Sequence, residues 1–433
     1  MTPTERTSGG EAPRAVVVTG VGLLSPLGDS PEAVHAALCR GESAVAPVES
    51  LVLPEGPEGG ELPCRLGARV PPFEPAAYLG AGNFRPLDRT GLLATAASHL
   101  ALAAAGWEAE ARRERQVGLV LGTMYGSAHT ISEFDRRALT AGPNYVKPFD
   151  FANSVINAAA GQAAIWHGLP GVNATLAGGF AAGLHALSYA ADLVASGRSE
   201  AIVAGGADEL CFETWLGFAR AGALCGTDGA GGEPRPVPFD ARRNGLAPAE
   251  GAALLVLESE ASARRRGRPA LARVLGCGAA FDASRGRDGA SASRAVARAV
   301  AGALEAAGLP SEAVDCWSAG ADGLVDLDAR EAAGVAAALG PRARDLPGTA
   351  VKSMLGEALG ASGALQAAAL VETLRTGELP GVAGLEGTEP GFPLPAVRRE
   401  SRTLKAPRVG LATALDRHGG AQAVLLGAVE ASG

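Results

Sequence analysis

The chain is poor in the residues that ordinarily announce a chemistry. Aromatic residues make up 4% of its 433 positions, and it holds only six cysteines and six histidines. The cysteines (Cys39, Cys64, Cys211, Cys225, Cys277 and Cys316) lie far apart without paired spacing. That pattern suits buried, reduced thiols better than a zinc site or a disulfide framework; no metal and no cofactor is expected. No uninterrupted apolar run approaches the roughly 20 residues that span a bilayer. The start of the sequence also lacks the charged-then-apolar form of a signal peptide, and the expectation is a cytoplasmic protein without a membrane role. Basic charge is in deficit as well: the formal net charge of −8 argues against nucleic acid or an anionic membrane surface as partner.

What the chain does have is glycine and alanine. Sixty glycines in a sequence that is still 47% hydrophobic imply closely approaching backbones rather than disorder. Residues 1–13 are polar and turn-rich and read as a tail, and 44–88 are loop-rich. Between these lie a buried strand from Ala15 to Gly20 and a helix over 31–41 opened by Ser30-Pro31. The spacing then predicts helices over 90–105, 155–167, 181–196, 291–307, 328–339 and 358–376. Strands are predicted over 117–122, 201–206, 252–258, 270–279, 314–318, 408–413 and 421–427. Strands alternating with helices of this length point to an α/β protein with buried mixed sheets. The Ala-rich helices 181–196 and 358–372 are apolar nearly all round, which places them between layers. Similar element order in 14–258 and 259–433 suggests two duplicated halves.

One segment looks built for catalysis and lacks the means. Thr175-Leu176-Ala177-Gly178-Gly179-Phe180-Ala181-Ala182-Gly183 reads as a short strand, a tight turn and a helix start. Unpaired N–H groups and the helix dipole favour a thiolate at such a first turn, but the place holds Phe180, which cannot be deprotonated or acylated. Cys225 is an alternative nucleophile by sequence proximity only, with no evident histidine to serve it: His167 and His185 fall inside helices. Gly205-Gly206 lacks dinucleotide-loop spacing and reads as close packing, and the run Arg264-Arg265-Arg266-Gly267-Arg268 reads as a solvated helix end.

From Ala15 to about Leu426 the chain resembles the β-ketoacyl synthase family of the thiolase fold, and within it the chain-length factors of type II polyketide synthases. The anchors, in order, include Val17-Val18-Thr19-Gly20-Val21-Gly22, Ser25-Pro26-Leu27-Gly28, Asn157-Ala158-Ala159-Ala160-Gly161 and His167-Gly168-Leu169-Pro170-Gly171. They continue with Ala204-Gly205-Gly206-Ala207-Asp208, Pro238-Phe239-Asp240-Ala241-Arg242-Arg243-Asn244-Gly245 and Glu250-Gly251-Ala252. The resemblance implies a five-layer αβαβα fold of two duplicated halves with mixed sheets. It also implies a heterodimer with an active ketosynthase, service to an acyl carrier protein, and an interface that includes Ala177, Gly178 and Gly179.

Departures from the family pattern decide the functional expectation. Ketosynthases resembling this chain use a Cys and two His residues, the latter stabilising an enolate and a thioester oxyanion. The Cys position falls on Phe180, the first His position on Gly320 (eight residues before Asp328, which is followed by Glu331) and the second on Glu357. Of the reactive set only Lys352 is retained, in Lys352-Ser353-Met354-Leu355-Gly356. The glycine-rich gate, normally Phe-Gly-Phe-Gly-Gly, is replaced by Asp416-Arg417-His418-Gly419-Gly420, with Asp416 and His418 the polar substitutes. In the chain-length factors that this sequence resembles, tunnel-lining residues follow the Gly-Thr strand end, and the positions map onto Ser127, Thr130 and Phe134. The expectation is a non-catalytic subunit that shapes a partner's acyl tunnel and sets polyketide or polyene chain length. The alternatives are an independent decarboxylase or acyltransferase with a non-standard site, and a plain scaffold.

Overall fold

The computed structural model describes residues 13–49, 64–226, 233–284 and 288–429. The expected tail over 1–13 lies, but for Pro13, outside the described residues. Ten strands form one continuous sheet. In chain order they are β1 (Val16–Leu24), β2 (Gly118–Thr123), β3 (Asn173–Ala177), β4 (Ala201–Asp208), β5 (Gly251–Ser259), β6 (Ala272–Phe281), β7 (Cys316–Ser318), β8 (Gly348–Thr349), β9 (Val409–Leu415) and β10 (Gly420–Gly427). β1, β2, β4 and β5 are buried at every position, and accordingly they read as mainly apolar runs instead of alternating ones.

The strand order is β8-β7-β9-β10-β6-β1-β5-β4-β2-β3. It divides between β6 and β1, where only three residue pairs, from Val16–Val274 to Val18–Ala272, hold the two sides together. Each side repeats the same scheme. β5 pairs antiparallel with β1 and β4, while β2 pairs parallel with β4 and β3. β10 pairs antiparallel with β6 and β9, while β7 pairs parallel with β9 and β8. Strand n of the first half thus corresponds to strand n+5 of the second, and the duplication suspected from element order is a property of the topology.

The helices repeat as well. α1 (Arg89–Ala104), α3 (Ala158–His167) and α4 (Ala182–Ala195) in the first half match α5 (Gly289–Ala307), α6 (Val325–Leu339) and α7 (Ser362–Thr376) in the second; α2 (Ala128–Thr140) has no counterpart. Caps explain several ends. Asp88 accepts from Gly91 N at the start of α1, Asp288 accepts from Ala290 N at the start of α5, and left-handed Gly168, Gly308 and Gly377 end α3, α5 and α7. Three apolar cores separate five layers. Leu93, Ala97 and Ala101 of α1 pack with Leu119, Val203 and Val256 on the outside of the first sheet half. Val296, Ala299 and Ala303 of α5 pack with Trp317, Leu411 and Leu425 on the outside of the second. Between the sheet halves, α4 and α7 share the largest core through Leu184, Leu187, Ala190, Ala364, Ala368 and Val371. Small side chains let both helices fit there, as their all-round apolar sequences imply.

The departures from expectation have local causes. The helix expected from 358 begins at Ser362, because Leu359 is left-handed (φ 56°) and the Ser362 hydroxyl accepts from Ala358 N at 2.8 Å, forming a 3-10 turn first. The helix expected from 155 begins at Ala158, and the strand expected over 314–318 is shortened to Cys316–Ser318. α2 is absent from the sequence expectations, although Ile131, Phe134 and Ala138 recur at helical spacing. It buries no residue fully, so it carries no run of core residues to betray it.

One carboxylate ties the halves together beside the site described below. Asp208, at the end of β4, accepts from Thr123 Oγ1 (2.6 Å), Met124 N (2.7 Å) and Gly360 N (2.8 Å), the last from the turn leading into α7. Asp208→Ala would orphan these donors at about 1–3 kcal/mol each. The expected outcome is a chain destabilised by more than about 2 kcal/mol in urea unfolding, with Asp208→Asn, which keeps one carbonyl acceptor, closer to wild type.

Candidate functional site

The turn after β3 keeps the form of a nucleophile site. Gly179 is left-handed (φ 60°), and a Cβ placed on it would stand 1.8 Å from Asp416 Oδ2, so only glycine fits. Behind it a 3-10 turn, Gly179–Ala181, feeds α4, and Phe180 sits at its centre. The Phe180 side chain is buried in a satellite apolar cluster with Cys64, Trp215, Phe218, Cys225 and Leu359. Its ring stacks on Phe218 with centroids 6.1 Å apart, and the Lys352 ammonium stands 5.6 Å from its centroid.

The amide of Phe180 is already taken. Its N–H donates to Asp416 Oδ2 at 3.1 Å, and Asp416 Oδ1 accepts from His418 N at 2.8 Å. Asp416 lies in the β9–β10 turn, where its own N–H donates to Gly420 O at 2.7 Å. The two polar gate residues therefore part company: Asp416 is buried against the turn, and the His418 side chain is exposed. His185, the fourth residue of α4 and one of the two helical histidines discounted as partners for Cys225, lies beside this turn. Its ring flanks Gly178 and Gly420, and burial lowers its pKa against the opposing influence of Asp416.

The two histidine positions are filled in different ways. A Cβ on Gly320 would fall 2.8 Å from both Thr413 O and Ala414 Cα, so β9 occupies the space a side chain would need. Gly320 instead offers backbone: its N–H donates to Glu331 Oε1 at 2.9 Å and its carbonyl accepts from Lys352 Nζ at 2.6 Å. Lys352 Nζ also meets Glu357 Oε2 at 2.5 Å, in a pair whose side chains are almost wholly buried. Glu357 Oε1 accepts from Ser362 Oγ (2.6 Å) and Leu359 N (2.8 Å), which anchors the carboxylate to the start of α7.

The surrounding electrostatics follow from burial. Burial weighs against the Lys352 charge, yet Glu357 and Asp322 nearby hold its pKa above the ordinary lysine range. Burial also raises Glu357, against the pull of Lys352. These influences on one pair oppose each other, and the contact geometry favours the ionised pair, since each Glu357 oxygen already accepts hydrogen bonds. Burial likewise pushes Glu331 up to about 7, although Thr413 Oγ1 donates to it at 2.6 Å. Asp328 rises to about 7 through burial and the neighbouring Asp322, opposed by Arg243. Sequence reading used Asp328 and Glu331 only as landmarks; the Asp-x-x-Glu spacing was the available signal of their shared buried face.

The remaining expected residues gather elsewhere. Ser127 is buried immediately before α2, Thr130 Oγ1 donates to Asp88 Oδ2 at 3.3 Å, and the half-buried Phe134 ring lies 5.9 Å from Phe151. At spacings of three and four these residues follow one helical face. β3 ends on exposed Ala177, with Gly178 and Gly179 half-buried just beyond, and is a sheet edge that, among the described residues, pairs only with β2. Exposed apolar side chains cluster in the neighbouring sequence, among them Leu139, Tyr145, Phe149, Phe151 and Ile165. Arg264, Arg265 and Arg266 are engaged by Glu260, Glu200 and Glu258 respectively. No group of metal-ligating side chains and no helix long and apolar enough to cross a membrane occurs among the described residues.

Comparison with known proteins gives the chain's family. The family model for the β-ketoacyl synthase N-terminal domain matches residues 13–263, and that for the C-terminal domain matches residues 271–386. The chain is 29% identical to 3-oxoacyl-[acyl-carrier-protein] synthase 2 of Coxiella burnetii over 398 residues, covering 92% of this chain and 94% of that protein. It is 32% identical to the tetracenomycin polyketide synthase ketoacyl synthase beta subunit of Streptomyces glaucescens over 400 residues, covering 91% and 94%. Among solved structures, the ishigamide ketosynthase/chain length factor superposes with a TM-score of 0.86 at 31% identity, covering 96% of this chain and all of that one.

The buried carboxyls give the chain a pH signature. Glu331 titrates near 7 when folded against an ordinary value of 4.5, so between these limits the folded chain holds a proton that the unfolded chain releases. Its contribution to stability is full below about pH 4.5 and declines as pH rises towards 7. Urea midpoints measured across this window should fall less steeply with pH in Glu331→Gln than in wild type; identical slopes would remove Glu331 from the account.

Proposed function

Since the chain belongs to the β-ketoacyl synthase family, we propose that it is a non-condensing subunit of a polyketide synthase. In this reading it is a chain-length factor: it pairs with a catalytically active ketosynthase and shapes the tunnel into which a polyketide or polyene chain grows. The observation that carries the reading is the filled reaction centre. Phe180 offers no nucleophile, Asp416 holds the amide that an oxyanion would need, β9 occupies the space beside Gly320, and Glu357 is consumed by Lys352. An acyl thioester arriving from a carrier protein would meet an apolar ring and a carboxylate, not a thiol and imidazoles.

The surface supports a partner. An edge strand with Ala177 at its end and Gly178 and Gly179 just beyond allows close backbone approach by a second sheet, and exposed apolar residues such as Tyr145, Phe149 and Phe151 offer surface for a partner. The ishigamide structure is itself a ketosynthase/chain length factor, and the Coxiella relative is named for action on acyl carrier protein. These support a heterodimer with a ketosynthase and an encounter with carrier protein. We assign the tunnel wall contributed by this chain to Ser127, Thr130 and Phe134.

Two experiments follow. Phe180→Cys restores only a thiol; loss of a single oxyanion donor costs about 10²–10³ in rate, and both histidines are missing as well. The purified variant should show no condensation above background with acyl and malonyl carrier thioesters, and turnover approaching that of an active ketosynthase would overturn the reading. In the reconstituted complex, Ser127→Phe should shorten the products and Phe134→Ala should lengthen them, because a packed wall cannot absorb a ring or refill its space without cost. Chain length read by mass spectrometry decides it: unchanged lengths from both variants in intact complexes would leave only a scaffolding role.

A further inference from the structure

Two cysteines that the sequence keeps 161 residues apart meet in the apolar cluster behind Phe180. The sulfurs of Cys64 and Cys225 are 3.1 Å apart, both side chains are buried, and all six cysteines of the chain are free thiols. An S–S bond is about 2.05 Å long, so bond formation needs the sulfurs to close by roughly 1 Å. Both partners are held in place. Leu66 N–H points at Cys64 Sγ at 3.4 Å, and the Cys225 backbone N–H donates to Leu246 O at 2.9 Å. The remaining cysteines are elsewhere: Cys211 touches Thr214, Cys39 faces His35, and Cys277 and Cys316 lie on β6 and β7.

We propose that Cys64 and Cys225 form a reversible redox pair, a modification site that closes to a disulfide when the chain meets a peroxide. The Leu66 N–H aimed at Cys64 Sγ favours a thiolate there, so Cys64 is the attacking sulfur. The Cys64 thiolate attacks one oxygen of hydrogen peroxide, the O–O bond breaks, and hydroxide leaves, giving a sulfenic acid. The Cys225 sulfur then attacks the Cys64 sulfur; the S–O bond breaks, and the departing hydroxide takes the Cys225 proton to leave as water. Two thiols give up two electrons in all, and one peroxide becomes two waters. The bond would join Cys64, two residues before the short strand Leu66–Gly67, to the loop after the helix Phe212–Arg220, directly behind Phe180 and Phe218. Dithiothreitol or a cellular thiol would reverse it by exchange.

The test is thiol counting on the full-length folded chain. The protein is treated with hydrogen peroxide, denatured in iodoacetamide and mapped by mass spectrometry. The expected result is loss of two of the six alkylatable thiols, with a dithiothreitol-sensitive peptide pair that links Cys64 to Cys225. Cys64→Ser should keep all its remaining thiols alkylatable after the same treatment. A control oxidised in denaturant should give mixed pairings, which separates the folded geometry from chance encounter. The inference is overturned if all six thiols stay alkylatable, if Cys64 proceeds to a sulfinic acid without the link, or if the native link is no more abundant than in the denatured control. Because the wild-type map alone can give any of these results, a variant that fails to fold does not protect the idea.

Discussion

Everything distinctive about this centre converges on the ammonium of Lys352. It donates to the carbonyl of Gly320, pairs with Glu357 and stands over the ring of Phe180, so a single buried cation touches all three positions where the family resemblance expects reactive side chains. A buried ion pair of this kind adds little net stability when complete, but removing one partner typically costs about 3–5 kcal/mol because the other charge is stranded. That asymmetry holds the site in one arrangement. Lys352 requires a carboxylate, Glu357 supplies it, and the second Glu357 oxygen is fixed by the start of α7.

The duplication of the fold puts this centre where it is. α4 and α7 are equivalent helices facing each other between the sheet halves, and each is entered through a 3-10 turn, Gly179–Ala181 in one case and Leu359–Ala361 in the other. Phe180 belongs to the first turn and Glu357 stands just before the second, so a side chain from each half reaches the same space. Asp416 closes it from the β9–β10 turn by accepting the Phe180 amide. On the proposed reading, loss of condensation involves more than one substitution: the amide, the space and the charge each have another partner.

Much of this was legible in the sequence, and for definite reasons. Buried strands such as Val16–Leu24 and the Ala-rich helices 182–195 and 362–376 are apolar over most of their surface, which places them between layers. The vacancy at Phe180 could be read directly from residue type. What sequence could not give was long-range pairing. Asp416 bonds across 236 positions to Phe180, Cys64 meets Cys225 across 161, and the His185 ring, in the first turn of α4, flanks Gly178 and Gly420. The closure over Gly320 is likewise a matter of β9 backbone, which no side-chain pattern encodes. α2 escaped because its apolar residues cover a half-exposed surface instead of a core.

The central claim is that this chain belongs to a condensing complex without carrying the acyl group itself. The direct measurement is intact-protein mass spectrometry of the complex co-purified with its ketosynthase and loaded from an acyl-carrier thioester. The account predicts an acyl adduct on the ketosynthase alone, with this chain at its unmodified mass. A stoichiometric acyl adduct on this chain, at Cys225 or any other cysteine, would contradict it.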